Sequence, residues 1–169
     1  NGVDTVDYDE RDDGIAETLG VQADLRTPAN NTNAAAGDTY SGVENLSGTA
    51  ARDVLYGDAG NNRLDGRAGD DRLAGDSGDD VLVGCAGADT LLGGNNTDTL
   101  FGGEGRDALD GGGSNDTLYG GLDGDVLNGG AGVDTADYLY LDEGVLDPYG
   151  VRALLRDPGR NTGAAFGDT

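Results

Sequence analysis

Leucine recurs at every ninth residue through the middle of the chain: Leu46, Leu55, Leu64, Leu73, Leu82, Leu91, Leu100, Leu109, Leu118 and Leu127, with Ala136 in the next place. Each stands between two positions of mixed character and follows a run rich in glycine, aspartate and asparagine. A single apolar residue with outward-facing neighbours suits a β-strand of about three residues, because side chains alternate between faces. The six residues before it cannot hold a helix and read as turn. Strand and turn, repeated, predict an all-β parallel solenoid. It is a flattened coil with two nonapeptides per circuit and the leucine column as its core.

From Gly57 the frame runs without a gap through GDAGNNRLD, GRAGDDRLA, GDSGDDVLV, GCAGADTLL, GGNNTDTLF, GGEGRDALD, GGGSNDTLY, GGLDGDVLN and GGAGVDTAD, ending at Asp137. It extends back through GTAARDVLY (48–56) and TYSGVENLS (39–47), giving eleven units over 39–137. Two more columns are regular. The first position is glycine in every unit except the one opening at Thr39. The sixth is acidic at Glu44, Asp53, Asp71, Asp80, Asp89, Asp98, Asp107, Asp116, Asp125 and Asp134, with Asn62 its neutral member.

A longer repeat overlies the short one. Residues 2–39 align with 132–169 at a constant offset of 130, and 21 of the 38 positions are identical. GVDTVDY matches GVDTADY, and GVQADLRTPANNTNAAAGDT matches GVRALLRDPGRNTGAAFGDT. Residues 1–7 therefore read as the tail of a preceding array, with Asp4 in the acidic column. A linker over 8–38 follows, then the eleven-unit roll over 39–137, then a second linker over 138–169 that repeats 8–39. Asn1 opens inside a repeat, so the parent chain is expected to begin upstream. Within the linkers, Gly20–Arg26 and Gly150–Arg156 alternate enough to predict a short strand. The stretches 9–19 and 139–149 share little and are expected to form exposed loop.

Composition changes the picture by asking what could hold such a coil together. The 169 residues include 33 glycines and 33 acidic residues against 10 basic ones, all arginine, for a formal charge of −23. A chain so acidic and so poor in aromatics is expected to be disordered until that charge is neutralised. Ten leucines cannot offset the ordering entropy of so many glycines. Units 18 residues apart would stack their carboxylates about 4.8 Å from one another, which demands a cation between them. A hard divalent ion with oxygen ligands meets the need, and flexible carbonyl-rich turns suit calcium better than magnesium.

These units resemble the GGxGxDxUx nonapeptides of the haemolysin-type repeats-in-toxin (RTX) proteins, firmly over 57–137 and loosely over 39–56. The resemblance implies a right-handed parallel β-roll, or β-helix, interrupted here by the linkers. It further implies Ca2+ shared between neighbouring coils, held by turn carbonyls of the first four positions and by the sixth side chain. Carried onto this chain, one ladder is Asp53, Asp71, Asp89, Asp107 and Asp125. The other is Asn62, Asp80, Asp98, Asp116 and Asp134. Four gaps in each ladder imply up to eight ions. Asn62 offers only a neutral oxygen, which makes the Asn62–Asp80 gap the weakest. Position two departs from glycine at Asp58, Arg67, Asp76 and Cys85, and position four at Asn96, Ser114 and Asp123. Carbonyl ligation tolerates this, but a turn that needs positive φ is strained by it.

Other chemistry is poorly provided for, and the chain reads as no enzyme. Without histidine there is neither a catalytic triad nor an HExxH zinc site, and no G-x-S-x-G elbow is present. The GDSG at Gly75–Gly78 lies inside the repeat frame and lacks a base. An ice-binding roll would need a matched row of Thr and Asn in the turns, and none exists. Nucleic-acid binding is excluded for want of a basic face, and no stretch approaches the ~18 apolar residues of a membrane span. The single Cys85 leaves no disulfide framework.

Two function classes remain open, both extracellular or at the cell surface. One is a calcium-binding structural module of a large secreted bacterial protein such as an adhesin, surface layer or fibre. The other is an accessory secretion and folding domain of a type I-secreted enzyme whose catalytic part lies elsewhere. The 130-residue repeat favours the first, since an accessory roll need occur only once. Outward residues Val83, Phe101 and Tyr119, at 18-residue spacing, predict an apolar stripe. It would serve contacts with copies of the chain, or lie beneath the module's own linker.

Overall fold

The structure, a computed structural model, describes residues 2–8 and 19–137 and the backbone of 152–154. The expected loop over 139–149 and most of that over 9–19 lie outside the described residues. In chain order the strands are β1 (Thr5–Asp7), β2 (Gln22–Asp24), β3 (Asn45–Ser47), β4 (Val54–Tyr56), β5 (Arg63–Asp65), β6 (Arg72–Ser77) and β7 (Val81–Ala86). They continue as β8 (Thr90–Asn95), β9 (Thr99–Glu104), β10 (Ala108–Gly113), β11 (Thr117–Leu122), β12 (Val126–Ala131), β13 (Thr135–Asp137) and β14 (Arg152–Leu154). No helix among the described residues is long and apolar enough to cross a membrane.

Successive strands fall alternately into two parallel sheets, odd-numbered strands in one and even-numbered strands in the other. The period dictates this arrangement. Nine residues carry the chain across to the opposite sheet, and eighteen bring it back one coil along. Thus Leu64 pairs with Leu82 and Leu82 with Leu100 in one sheet, while Leu73 pairs with Leu91 and Leu91 with Leu109 in the other. All ten leucines of the column are buried. A buried leucine contributes roughly 1.5–3 kcal/mol, whereas ordering each backbone residue of its unit costs roughly 1–2 kcal/mol. The core therefore sets the shape of the roll without being enough to hold it.

From β6 to β12 the strands run six residues rather than the expected three. The added residues are positions one to three of the next unit. Ala74 pairs with Leu92, Gly75 is passed over, and Asp76 and Ser77 pair with Gly94 and Asn95. Position two turns the corner in the left-handed region, where Asp76 has φ 83°, Cys85 76° and Gly94 119°. The swing returns main-chain groups to the neighbouring coil, so half of the expected turn becomes ladder. Arg67 (φ 71°), Asn96 (77°), Ser114 (85°) and Asp123 (72°) accept the same conformation without being glycine.

The first linker interrupts the nine-residue frame but not the sheets. β1 stacks on β3 with Val6 beside Leu46, and β2 stacks on β4 with Ala23 beside Leu55. Val21, Ala23, Leu25 and Ala35 join the buried core. Two 3-10 turns, Pro28–Asn30 and Asn33–Ala35, carry the chain from β2 toward β3. From the second linker, β14 pairs with β12 in the same sheet as β2.

Candidate metal centres

The sixth residue of each unit ends its turn and immediately precedes a strand, which fixes its side chain at the rim between the sheets. Asp53, Asn62, Asp71, Asp80, Asp89, Asp98, Asp107, Asp116, Asp125 and Asp134 are all buried there. They form the two ladders expected from the spacing, linked by hydrogen bonds from one coil to the next. The amide of Asp53 donates to Asp71 Oδ1 at 2.8 Å, that of Asp71 to Asp89 at 2.8 Å, that of Asp89 to Asp107 at 2.8 Å and that of Asp107 to Asp125 at 2.9 Å. On the other rim the series runs from Asn62 to Asp80 at 2.8 Å, to Asp98 at 2.9 Å, to Asp116 at 2.9 Å and to Asp134 at 3.0 Å.

The second carboxylate oxygen behaves differently. Oδ2 of Asp71, Asp80, Asp89, Asp98, Asp107 and Asp116 is buried with no hydrogen-bond partner. Buried polar groups are otherwise almost always satisfied, so six orphans, three on each ladder, call for a physical cause. Each lies against the first-position glycine of its own turn. A Cβ on Gly84 would fall inside 3.0 Å of Asp89 Oδ2 and of the Gly102 carbonyl oxygen, and Gly75 is crowded in the same way by Asp80 Oδ2 and the Gly93 carbonyl. The glycine column is therefore required by space: a carboxylate oxygen, joined at Gly75, Gly84, Gly93 and Gly102 by a carbonyl oxygen from the next coil, occupies the place where a side chain would stand.

Electrostatics points the same way. Burial above all, with neighbouring carboxylates adding to it against the donated amide, pushes the Asp71 carboxyl up to about 8. Asp80, Asp98 and Asp107 are pushed up to about 7 and Asp116 to about 6, again chiefly by burial. These carboxylates favour a positive partner, whether proton or cation. Among the described residues no three acidic, cysteine or histidine side chains converge on one point. An ion here would have to complete its shell from main-chain carbonyls, an all-oxygen donor set without nitrogen or sulfur. Such a set fits a hard cation that accepts six to eight flexible oxygen ligands.

A family model of the RTX calcium-binding nonapeptide repeat matches the chain in four copies, over residues 38–73, 74–109, 101–136 and 110–144. The chain belongs to this family. Its repeats are calcium-binding repeats, and the roll they form is a structural calcium-binding fold. No curated protein matches the chain.

Within this RTX roll the first turns differ from the rest, which sequence reasoning only partly foresaw. Asp53 has both oxygens occupied: Oδ1 accepts the Val21 amide at 2.6 Å, and Oδ2 accepts the Thr49 amide at 2.6 Å. Asn62 accepts the Asp58 amide at 2.8 Å and donates to the Glu44 carbonyl at 2.9 Å. Thr49 and Asp58 hold position two without the left-handed φ found from Arg67 onward, so their amides point at the side chain that later turns leave open. A signal was present in Ala51, which stands at position four of its unit where glycine is usual. Asp4 lies beneath Glu44 in the same ladder. Its amide donates to Glu44 Oε2 at 2.9 Å, and its carbonyl accepts the amides of Glu44 at 3.2 Å and Asn45 at 3.1 Å.

Proposed function

We propose that this RTX chain is a calcium-folded structural module of a large secreted or cell-surface bacterial protein, of the adhesin, surface-layer or fibre kind. The observation that carries the reading is the six buried Oδ2 atoms without partners on the two ladders, each in a glycine cradle and four of them, on Asp80, Asp89, Asp98 and Asp107, beside a carbonyl oxygen of the next coil. Asp71, Asp80, Asp89, Asp98, Asp107 and Asp116 are the proposed ligands, with Asp125 and Asp134 closing the two ladders. Asp53 and Asn62, each saturated by its own turn on one side and by the preceding coil on the other, contribute least, so the count falls from the eight ions implied by the ladders toward one per orphaned carboxylate. Six divalent ions would add twelve positive charges to the formal −23 and leave −11, removing much of the repulsion that opposes compaction. Where calcium is scarce, as inside a cell, the chain stays unfolded and fit for export. Outside, the ion folds it.

The 130-residue repeat supports a structural array over an accessory roll on a secreted enzyme. Circular dichroism in chelator and in millimolar calcium, with calorimetric titration of the bound ion, tests the proposal. A disordered spectrum that becomes β-rich with several ions bound is the expected result. A spectrum indifferent to calcium would overturn it.

A further inference from the structure

The 38-residue repeat, identical at 21 positions, occurs at both ends of the chain, and its two copies meet the roll on opposite sides. The N-terminal copy places β1 and β2 under the array that follows: Thr5 pairs with Asn45 and Gln22 with Val54. The C-terminal copy places β13 and β14 on the array that precedes: Thr135 pairs with Thr117 and Arg152 with Val126. The two copies of the repeat thus meet a nonapeptide array on opposite faces. β1 and β13, 130 residues apart, lie in one sheet, and β2 and β14, equally spaced, lie in the other. Eleven nonapeptides alone would supply an odd number of half-turns and exchange the sheets at each junction. The linker strand makes the number twelve and restores the phase.

Side chains clamp this coil from the array above it. Arg67 reaches Asp7 at 2.7 Å and Ser47 Oγ at 2.9 Å. Arg26 lies 4.8 Å from the centre of the Tyr56 ring and reaches Asp76 at 3.3 Å. On one rim the acidic ladder continues through the junction from Asp4 to Glu44. On the other rim Val21 stands in the aspartate's place and gives its amide to Asp53.

We infer that β2 and β14 each mark a splice coil, one half-turn that joins successive calcium arrays into a single unbroken solenoid. Consecutive 130-residue units then stack with the same faces in line, and one of the two metal ladders is interrupted once per unit. The partner surface of each array end is the splice coil of the next copy. The inference rests on strand register, independently of which oxygens hold the ions.

Two measurements test it. In a Cys85→Ser background of the full chain, the adjacent pair Thr5→Cys with Asn45→Cys should oxidise at least tenfold faster than Thr5→Cys with Arg63→Cys, which stands one coil further along the same column. The comparison is made under whatever condition gives a β-rich spectrum, so it reads register even if calcium proves unnecessary. Equal rates would overturn the splice. The second measurement is small-angle scattering of the chain extended by a repeat of residues 40–169 after Thr169. Twelve further strands at two per coil and about 4.8 Å per coil should lengthen the particle by about 29 Å at constant cross-section. Two bodies joined by a bend would overturn the inference.

Discussion

The main-chain amide of Asp80 donates to Oδ1 of Asp98 at 2.9 Å, while Oδ2 of that carboxylate has no partner. Asp98 repeats the gesture upward, giving its own amide to Asp116 at 2.9 Å. One oxygen of each aspartate therefore sets the coil spacing, and the other is left for a cation. Metal binding and strand register are thereby written into the same side chain, which is why the roll and its ion should form together.

Substitutions can separate these two duties. Asp98→Ala strips the buried Asp80 amide of its acceptor, at a cost of about 1–3 kcal/mol, and removes an ion ligand as well. Asp98→Asn keeps an acceptor of the same size and loses only the charge. It should hold the register while raising the calcium midpoint several-fold. Asn62→Ala should cost stability but no ion, because both polar ends of Asn62 already serve the protein. Calorimetric titration that found equal losses of calcium for Asp98→Ala and Asn62→Ala would show the ladder assignment to be wrong.

The glycine cradle makes a positional prediction. Gly84→Ala drives a methyl group into Asp89 Oδ2 and the Gly102 carbonyl. Overpacking of this kind costs about 1–3 kcal/mol. Gly113→Ala, at position three, meets nothing closer than the Gly94 carbonyl at 3.8 Å. It should be neutral, or slightly stabilising through the unfolded chain. Thermal melts in calcium compare the two directly, and equal destabilisation would mean that first-position glycine is a matter of turn flexibility rather than space.

Leu82, Asp80 and Gly75 were legible from the sequence because an unbroken period fixes column, sheet and neighbour at once. Gln22 was less so. It pairs with Val54 across 32 residues, and nothing local marks that register, since the linker follows no nine-residue frame. The capping of Asp53 was hidden for a related reason. It depends on an amide from Val21, which only the fold brings near, and on a turn at Thr49 whose φ no single residue announces. At Asp76 and Cys85 the strained turn was legible but its cause was not: side chains that disfavour positive φ adopt it because the stacked coils on either side impose it.

Phe101 and Tyr119 lie on adjacent strands with ring centroids 4.6 Å apart and planes within 5°, beside Val83 in the same column. Stacking of this kind contributes about 0.5–1.5 kcal/mol beyond area burial. A double-mutant cycle with Phe101→Ala and Tyr119→Ala should return a coupling of that size from calcium-loaded unfolding. Phe101→Asp should leave bound calcium unchanged and shift sedimentation toward the monomer, as expected of a column that contacts further copies of the chain. A variant that sediments like the parent would leave the column a feature of the roll's own stability.

Protons should stand in for the ion. The carboxyls of Asp71, Asp80, Asp98, Asp107 and Asp116 rise in the roll from an ordinary 3.8 to between about 6 and about 8. Over that window the roll binds more protons than the unfolded chain. The associated stability is complete below 3.8 and is lost as pH rises through 6 to 8. In calcium-free buffer the chain should therefore gain β-structure as pH is lowered from 8 to about 4, the direction opposite to ordinary acid denaturation. With calcium present the same protons compete with the ion, so its apparent affinity should weaken as pH drops from 8 toward 6. Dichroism across pH without calcium, and titrations at pH 8 and pH 6 with it, measure both arms. A calcium-free chain whose β-content is flat or rises with pH would mean that the buried carboxylates are balanced by something other than proton or metal.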